Sequence, residues 1–509
     1  MAKIEIKNKK ILNLLDYYRN IWALSYLGAL AEWDLNTYMP QDAAPHHGEA
    51  LAKAKSLSQT LFLDKRMQDL LDDALSEANL TPAEKAIVHR INRTLEKNRK
   101  LPKELLEEIS RVTNKAHVAW AEAKKTNNFK LFSPYLEKII DLNIRKAEKL
   151  GYKNHIYDAL IDEFEEGFTN EDVDNYFKSI KPFLLDLLKR IKSSKKYSVS
   201  SPLEKEKYKK EELNEILYFI LDYFSYNPKR LRLDESPHPF TLGFSSRHAR
   251  ITTHFNAELE NFYFPISSTI HEFGHALHAL QINPALDFTP LNGEDDLSFG
   301  LAESQSRFWE NFVGRSYDFL KILYPKLSKL SGNFSKYTLE DFYHHANIVQ
   351  PSLIRTKADE VTYHFHILIR YEVEKAMLER TVKVNELPEL WNSKYKEYLG
   401  VDVPNDSKGI LQDIHWSMGA IGYFPTYSTG TVLSATWKKL LEKDLNNPIE
   451  DLVKTKEGIK KMQDWQRDKI HCYGSMYTFK DLIKLNTGEG FSTEPWKEYL
   501  DNKYSKLYP

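Results

Sequence analysis

The residues best suited to chemistry lie in one stretch, residues 268–278, which contains the pattern His-Glu-x-x-His. On an α-helix, side chains four residues apart lie one above the other on the same face. His271 and His275 can therefore bind one metal ion together, and Glu272 lies where its carboxylate can reach a water held by that ion. Two ligands, a general base and an open coordination position are the layout of a zinc peptidase.

The pattern also has an ordinary structural explanation. Three fixed positions in five can occur by chance, and both histidines could be helix residues with satisfied rings. The flanking sequence favours a buried helix, because apolar residues recur at helical spacing: Ile270, Phe273, Ala276, Leu277 and Leu280. Gly274, between the histidines, has no side chain to crowd the metal face.

A third ligand is required, because catalytic zinc usually has three protein ligands and one water. Glu303 is the best candidate, and it follows His275 by 303 − 275 = 28 residues. Turn residues at 283–284 and 289–293 allow a loop, after which a return helix could pack against the first helix. As an alternative, Glu303 could be an ordinary surface glutamate.

Composition limits the class of protein. A chain of 509 residues can bury a large core and contain a deep cleft. Its 71 basic and 72 acidic residues argue against nucleic acid or a membrane surface as the main partner. Cys472 is the single cysteine, so a reducing compartment is expected. The charged N-terminal segment does not resemble a secretory signal, and no run of 18 apolar residues is present. We therefore expect a cytoplasmic protein.

Helical periodicity predicts most of the fold. Helices are expected over about 10–38, 51–63, 81–98, 102–125, 131–150 and 169–192, and again from 353 to 377. Residues 237–266 differ, because alternating β-branched residues and turn residues predict a hairpin just before the metal helix. Its edge could pair with an extended peptide, or it could be purely structural. Residues 409–427 are aromatic and interrupted by glycines, which favours a functional site over a simple core helix.

Seven motifs follow one another along the chain: Trp33-Asp34-Leu35-Asn36-Thr37, His238-Pro239-Phe240, His271-Glu272-Phe273-Gly274-His275, Glu303-Ser304-Gln305-Ser306-Arg307, Ile354-Arg355-Thr356-Lys357-Ala358-Asp359, Gly409-Ile410-Leu411-Gln412-Asp413-Ile414-His415-Trp416 and Gly422-Tyr423-Phe424-Pro425-Thr426-Tyr427. Through these motifs and their order, the chain resembles the carboxypeptidase Taq family of thermostable zinc metallocarboxypeptidases over nearly its full length.

The resemblance implies a mainly α fold, saddle-shaped, with a deep groove and a small antiparallel sheet beside the metal helix. We expect one catalytic unit over residues 1–509, with a helical part over about 1–230 and a metal- and substrate-binding part over about 231–509. The family also implies a homodimer and a Zn²⁺ ion, with Co²⁺ as a possible substitute. The implied activity removes single residues from the free C-termini of peptides, with broad specificity and with proline disfavoured.

The resemblance also assigns roles to residues. His271, His275 and Glu303 match the metal ligands, and Glu272 matches the general base. Arg355 matches the residue that holds the terminal carboxylate, and Arg250 is a second candidate. The other expected site residues are His238 and Gln412 for substrate, and His415, Tyr423 and Tyr427, any of which could stabilise the oxyanion. Without the resemblance, Arg355 would be expected to pair with Asp359, four residues later on a helix.

Two positions depart from the family pattern. The family usually has Asp-x-Arg-x-Thr in the hairpin, where this chain has His248 and no acid. The family also usually has histidine before the third-ligand glutamate, where this chain has Ala302. Two alternatives to a carboxypeptidase therefore stay open. One is an endo-acting oligopeptidase with the same chemistry, and the other is a weakly catalytic metal- or peptide-binding homologue.

Overall fold

The computed structural model describes residues 4–198, 200–292 and 298–509, and so Gly293 of the predicted turn lies outside the described residues. The fold is mainly helical, with 69% helix and 3% strand, as predicted. The helices are α1 (Lys9–Thr37), α2 (Ala44–Phe62), α3 (Lys65–Leu75), α4 (Pro82–Lys100), α5 (Lys103–Thr126), α6 (Phe129–Leu150), α7 (Ile156–Ile161), α8 (Asn170–Ser193), α9 (Lys210–Tyr223), α10 (Tyr263–Gln281), α11 (Phe299–Arg307), α12 (Tyr317–Leu327), α13 (Leu339–Ala346), α14 (Tyr363–Leu378), α15 (Leu387–Leu399), α16 (Phe424–Leu445), α17 (Ile449–Leu452), α18 (Lys456–Lys469), α19 (Phe479–Thr487) and α20 (Glu494–Leu507).

Local capping explains where several helices begin. Thr81 and Glu84 form the predicted capping box of α4, with the Thr81 amide donating to the Glu84 carboxylate at 2.8 Å. Thr169 and Asp172 form the same reciprocal pair at the start of α8. The six helices predicted before residue 193 are confirmed, five of them within two residues at each end, while α2 begins at Ala44, seven residues before the predicted start.

The predicted hairpin is present as β2 (Thr241–Ser245) and β3 (His248–Thr253), which pair antiparallel. A third strand, β1 (Leu231–Glu235), pairs parallel to β3 and gives the sheet order β1-β3-β2. The sheet is thus mixed, where the resemblance implied an antiparallel one. The chain between β1 and β2 does not turn back directly, and β3 lies between them.

The helix expected from residue 353 begins ten residues later, at Tyr363. Asp359 explains the difference, because its carboxylate accepts hydrogen bonds from the backbone amides of Val361 and Thr362, both at 2.9 Å. These bonds hold residues 359–362 in a turn, in which the Tyr363 amide also donates to the Asp359 carbonyl oxygen at 2.9 Å, and the helix begins only after this turn. Residues before it form only a short 3₁₀ turn, Arg355–Lys357.

The chain folds into two compact units, each built from three separate segments. The first comprises the described parts of Met1–Glu96, Pro202–Ala346 and Trp437–Gly490, and the second comprises Lys97–Ser201, Asn347–Thr436 and Phe491–Pro509. A buried apolar cluster stabilises the first unit, where Leu14 and Ile87 pack with Leu286 and Leu291. Within the described ranges, no helix is long and apolar enough to cross a membrane.

Candidate functional site

Two neighbouring helices of the first unit bring the predicted metal ligands together. His271 and His275 lie on α10, and Glu303 lies on α11. One ligand atom from each of these side chains lies within 4.8 Å of the other two. The Glu303 Oε2 atom is 3.5 Å from the Nε2 atom of each histidine.

These distances fit a divalent metal. Ligand atoms of a tetrahedral ion with bonds of about 2.0–2.1 Å lie about 3.3–3.4 Å apart. Two imidazoles and one carboxylate are also a donor set that leaves a fourth position for water or substrate. The three side chains are therefore arranged to hold a divalent metal ion with little rearrangement.

Gly274 has a different role from the one that the sequence suggests. A Cβ atom there would lie 2.6 Å from the Gln305 carbonyl oxygen and 2.6 Å from the Ser306 Cα. Glycine is required because α11 packs directly against the α10 backbone at this point. This close approach brings Glu303 within reach of the two histidines.

A second carboxylate orients the first ligand. The Nδ1 atom of His271 lies 2.9 Å from Glu310 Oε2, a contact typical of metal-binding histidines. Glu310 also accepts hydrogen bonds from Arg307 at 3.0 Å and from Arg315 at 2.9 Å. It lies in a π-helical turn, Phe308–Gly314, which continues α11. Such turns are frequent at functional sites.

The electrostatics of this cluster favour a bound cation. Burial alone raises the pKa of Glu303, but Arg307 and the two histidines outweigh burial and hold the pKa below its usual range. Burial lowers the pKa of His271, yet Glu303 and Glu310 outweigh it and raise that pKa. Carboxylates that stay ionised beside imidazoles create the negative potential that a divalent ion needs.

The hairpin lies against the metal helix and contacts the predicted general base. Glu272 is buried, at 7% exposure, and its Oε2 atom accepts a hydrogen bond from the Thr241 hydroxyl at 2.6 Å. His238 is exposed in the loop before β2. The hydrogen bond to the Glu272 carboxylate therefore comes from Thr241 of the hairpin, whereas the His238 side chain is exposed.

Arg250 is held by aromatic rings and by the residue that departs from the family pattern. Its guanidinium carbon lies 5.5 Å from the ring centres of both Trp33 and Phe244, which is cation–π distance. Its Nε donates to His248 Nε2 at 3.0 Å, while His248 Nδ1 contacts the Tyr26 hydroxyl at 2.8 Å. The imidazole thus supplies the hydrogen-bond acceptor that a carboxylate could supply at that position.

The second unit contains a buried arginine cluster formed by Arg355, Arg370 and Asp413. The Nε of Arg355 donates to Asp413 Oδ1 at 3.0 Å, and the Nε of Arg370 donates to Oδ2 at 2.7 Å. The alternative pairing of Arg355 with Asp359 is wrong, because Asp359 binds backbone amides instead. Two guanidinium groups share one carboxylate here, which leaves an excess of positive charge.

The remaining predicted residues of the second unit surround this arginine cluster. The Gln412 side chain accepts a hydrogen bond from the Arg355 amide at 3.1 Å. The Tyr427 ring lies 4.8 Å from the Arg355 guanidinium carbon, and its hydroxyl lies 3.4 Å from His415 Nε2. The Tyr423 ring centre is 5.3 Å from that of His415.

Comparison with known proteins decides the family. The carboxypeptidase Taq (M32) metallopeptidase family model matches residues 13–504. The chain belongs to this family. It is thus a metal-dependent peptidase of the carboxypeptidase type.

Curated M32 relatives and solved M32 structures agree over the whole length. Thermostable carboxypeptidase 1 of Pyrococcus furiosus is 41% identical over 98% of this chain and 99% of the relative. Carboxypeptidase 1 of Bacillus subtilis is 37% identical over 97% of each chain. A solved structure of the Pyrococcus furiosus carboxypeptidase superposes with a TM-score of 0.95 at 41% identity, over 98% of this chain and 99% of that one. The crystal structure of an M32 carboxypeptidase from Deinococcus radiodurans superposes with a TM-score of 0.93 at 30% identity, over 98% of this chain and 100% of that one.

Sequence reasoning missed several residues that contact the predicted ones. Glu310 lies seven residues after Glu303, two helical turns later, and the i, i+4 and i, i+3 steps through Arg307 are a signal that could have found it. Asp413 lay inside a quoted motif without an assigned role. Thr241 and Arg370 carried no sequence signal of their own, because their contacts join separate elements.

Proposed function

We propose that this protein uses a zinc ion to remove single residues from the free C-termini of peptides, with broad specificity and with Glu272 as the general base. One observation supports this most directly. His271, His275 and Glu303 offer ligand atoms within 4.8 Å of one another, and Glu272 directly follows the first ligand. The endo-acting alternative is not favoured, since the matched relatives are named carboxypeptidases.

The proposed roles follow from the chemistry of each group. A divalent ion at the three ligands would polarise the scissile carbonyl and acidify a bound water. Glu272 would take a proton from the attacking water and pass it to the nitrogen of the leaving residue. Its burial supports this role, because water that competes for the proton is largely excluded.

Arg355 is proposed to bind the terminal carboxylate of the substrate. Its planar guanidinium can donate two parallel hydrogen bonds to a carboxylate. The excess of positive charge that it shares with Arg370 and Asp413 supports an anionic ligand. Gln412 is proposed to act beside it by holding the Arg355 backbone, and Arg250 and His238 are proposed as further substrate contacts.

The oxyanion that forms during attack requires a hydrogen-bond donor about 3 Å away. We propose that His415, Tyr423 or Tyr427 supplies it, and the three stay open as candidates. The contact between His415 and the Tyr427 hydroxyl supports a shared role for these two side chains. Replacing each tyrosine singly by phenylalanine would separate the candidates, because only the loss of the true donor should lower kcat strongly. If neither replacement lowers kcat, His415 is the remaining candidate.

Three further proposals concern the ion, the compartment and the assembly. Zinc is favoured by the two-histidine, one-carboxylate donor set, which Co²⁺ could also occupy. A cytoplasmic location is supported by the single cysteine, Cys472, which is buried. A homodimer is proposed on the family resemblance alone.

The deciding experiment is a mass-spectrometric time course on one peptide in two forms, the free acid and the C-terminal amide. The zinc-loaded protein should produce a ladder that loses one C-terminal residue at a time from the free acid only. A chelator should abolish the ladder, and added zinc should restore it. Internal cuts in both peptides would instead support the endo-acting oligopeptidase.

A Glu272→Gln variant tests the role of the base. We expect kcat to fall by about 10²- to 10⁴-fold, because general acid–base catalysis contributes that much. The variant should still bind one zinc ion per chain, as measured by metal analysis, because Glu272 is not a ligand. Wild-type protein that binds zinc tightly but cleaves neither peptide would support the weakly catalytic alternative.

A further inference from the structure

Thr241 is the side chain of the sheet that contacts the predicted base. Its hydroxyl lies 2.6 Å from Glu272 Oε2 and 3.1 Å from the Glu272 carbonyl oxygen. A hydroxyl has one proton and can donate it to one of them. The shorter contact is to a carboxylate oxygen, and a charge-assisted hydrogen bond is the stronger of the two.

The alternation of strand β2 directs Thr241 toward the metal helix. Leu242 and Phe244 are buried on the opposite face, in a cluster with Trp33 of α1. Because successive side chains of a strand point to opposite faces, Thr241 points away from α1 and toward α10. Threonine is β-branched, so its χ1 angle has few alternatives once the backbone is fixed.

Strand β3 fixes that backbone. The Thr252 hydroxyl accepts a hydrogen bond from the Phe240 amide at 2.9 Å, and the Thr252 amide donates to the Phe240 carbonyl oxygen at 2.9 Å. Ser236 donates to the same Thr252 hydroxyl at 2.7 Å, and Thr252 is fully buried. Residue 240 is thus held on both sides immediately before Thr241.

We propose that Thr241 is a positioning residue for the general base. Its hydroxyl holds Glu272 Oε2, which leaves Oε1 as the oxygen that receives the proton of the attacking water. The O–H bond of the water breaks as the Oε1–H bond forms, and the same proton then passes to the leaving nitrogen. Thr241 keeps its own proton throughout. This inference rests on the proposed function of Glu272.

The test compares Thr241→Val with Thr241→Ser. Valine keeps the shape of threonine but has no hydroxyl, while serine keeps the hydroxyl without the methyl group. We expect Thr241→Val to lower kcat by about 10- to 100-fold, as for loss of a hydrogen bond to a charged group, with KM within about threefold. Thr241→Ser should keep kcat within about threefold of the parent. Zinc affinity, measured by chelator competition, should be unchanged in both.

Ser245→Ala is the matched control. It removes a hydroxyl from the same strand, where that hydroxyl accepts from the Arg247 amide at the turn. We expect kcat of this variant to stay within about twofold of the parent, so a larger effect at Thr241 would not reflect general weakening of the strand.

Infrared spectroscopy of the metal-free protein supplies a readout that does not depend on activity. The difference spectrum between Thr241→Val and the parent should contain a shifted carboxylate stretch, because the band responds to hydrogen bonding. The same difference measured on a Glu272→Gln background should lack it.

The inference is overturned if Thr241→Val keeps full kcat, or if Thr241→Ser lowers kcat as much as Thr241→Val does. It is also overturned if Thr241→Val still shifts the carboxylate band in the Glu272→Gln background. Failure of the proposed function has a different signature, because the zinc-loaded parent would then produce no C-terminal ladder at all.

Discussion

His271 and His415 are two histidines whose surroundings act on them in opposite directions. Burial lowers the pKa of His271, but Glu303 and Glu310 outweigh it, so the pKa is raised. Burial also lowers the pKa of His415, and there Arg355 adds to the effect, so the pKa falls to about 4. Carboxylates dominate the charges around the first imidazole, although Arg307 opposes them, and guanidinium groups dominate those around the second, although Asp413 opposes them.

The contrast indicates the sign of charge of the ligand that each region suits. In the first unit, Arg307 and Arg315 pair with Glu303 and Glu310, so each carboxylate has a guanidinium partner and stays ionised. In the second unit, one carboxylate, Asp413, serves two arginines. The donor set of the first unit therefore suits a cation, and the arginine cluster of the second unit suits an anion.

Among the changes that test this contrast, the largest effect is expected in the arginine cluster. We expect Arg355→Gln to lower kcat/KM for free-acid peptides by about 100-fold, because the paired charge-assisted hydrogen bonds to the carboxylate are lost. Arg355→Lys should recover only part of that loss, since an ammonium group lacks the planar fork. Steady-state kinetics on a blocked dipeptide with a free C-terminus would measure both.

Two controls accompany these variants. Zinc affinity should not change, because Arg355 is not a ligand of the metal centre. Thermal unfolding should show a folded protein, because Asp413 keeps its pairing with Arg370. Unchanged kcat/KM in a folded Arg355→Gln variant would mean that the arginine cluster is structural.

The next largest effect is expected at the candidate metal ligands of the first unit. Glu310→Gln should weaken zinc binding by about 10- to 100-fold, because a carboxylate bound to a ligand histidine fixes its orientation and raises its basicity. Chelator competition would measure the affinity, and KM should be unaffected in the zinc-saturated variant.

Glu340→Gln is the matched control for that change. The Glu340 carboxylate accepts a hydrogen bond from the Tyr317 hydroxyl at 2.8 Å on the exposed surface. Its replacement should leave zinc affinity unaltered. Equal zinc affinity in Glu310→Gln and in the parent would show that His271 needs no carboxylate partner.

The two regions also differ in how far the sequence could predict them. The two histidines follow helical spacing and one loop leads to the helix of Glu303, so pattern reasoning could name all three candidate ligands, which the structure brings together. The arginine cluster joins Arg355 to Asp413 across 58 residues of chain, and no local period records such a contact. The i, i+4 rule failed there because Asp359 lies in a turn before the helix and binds backbone amides of that turn.

The same limit applies on a smaller scale around the metal. Glu310 follows Glu303 by helical steps through Arg307, but its contact with His271 joins two separate helical segments across 39 residues of chain. Thr241 meets Glu272 because strand β2 packs on helix α10, and no pattern within either element records that contact. Local periodicity predicted the elements, and tertiary packing determined these partners.

The smallest expected effect distinguishes burial from charge at His415. An exposed histidine has a pKa of about 6.5, so between pH 6.5 and about 4 the unfolded state binds a proton that the native state does not. The free energy of unfolding should therefore decrease as pH falls through this range. In Arg355→Gln, the pKa of His415 should rise above about 4 and stay below 6.5, because burial remains. NMR titration of the His415 ring proton, assigned with His415→Gln, would measure it. A pKa unchanged by the loss of Arg355 would mean that burial and Arg370 set it without Arg355, and the difference in charge around the two histidines would then not depend on Arg355.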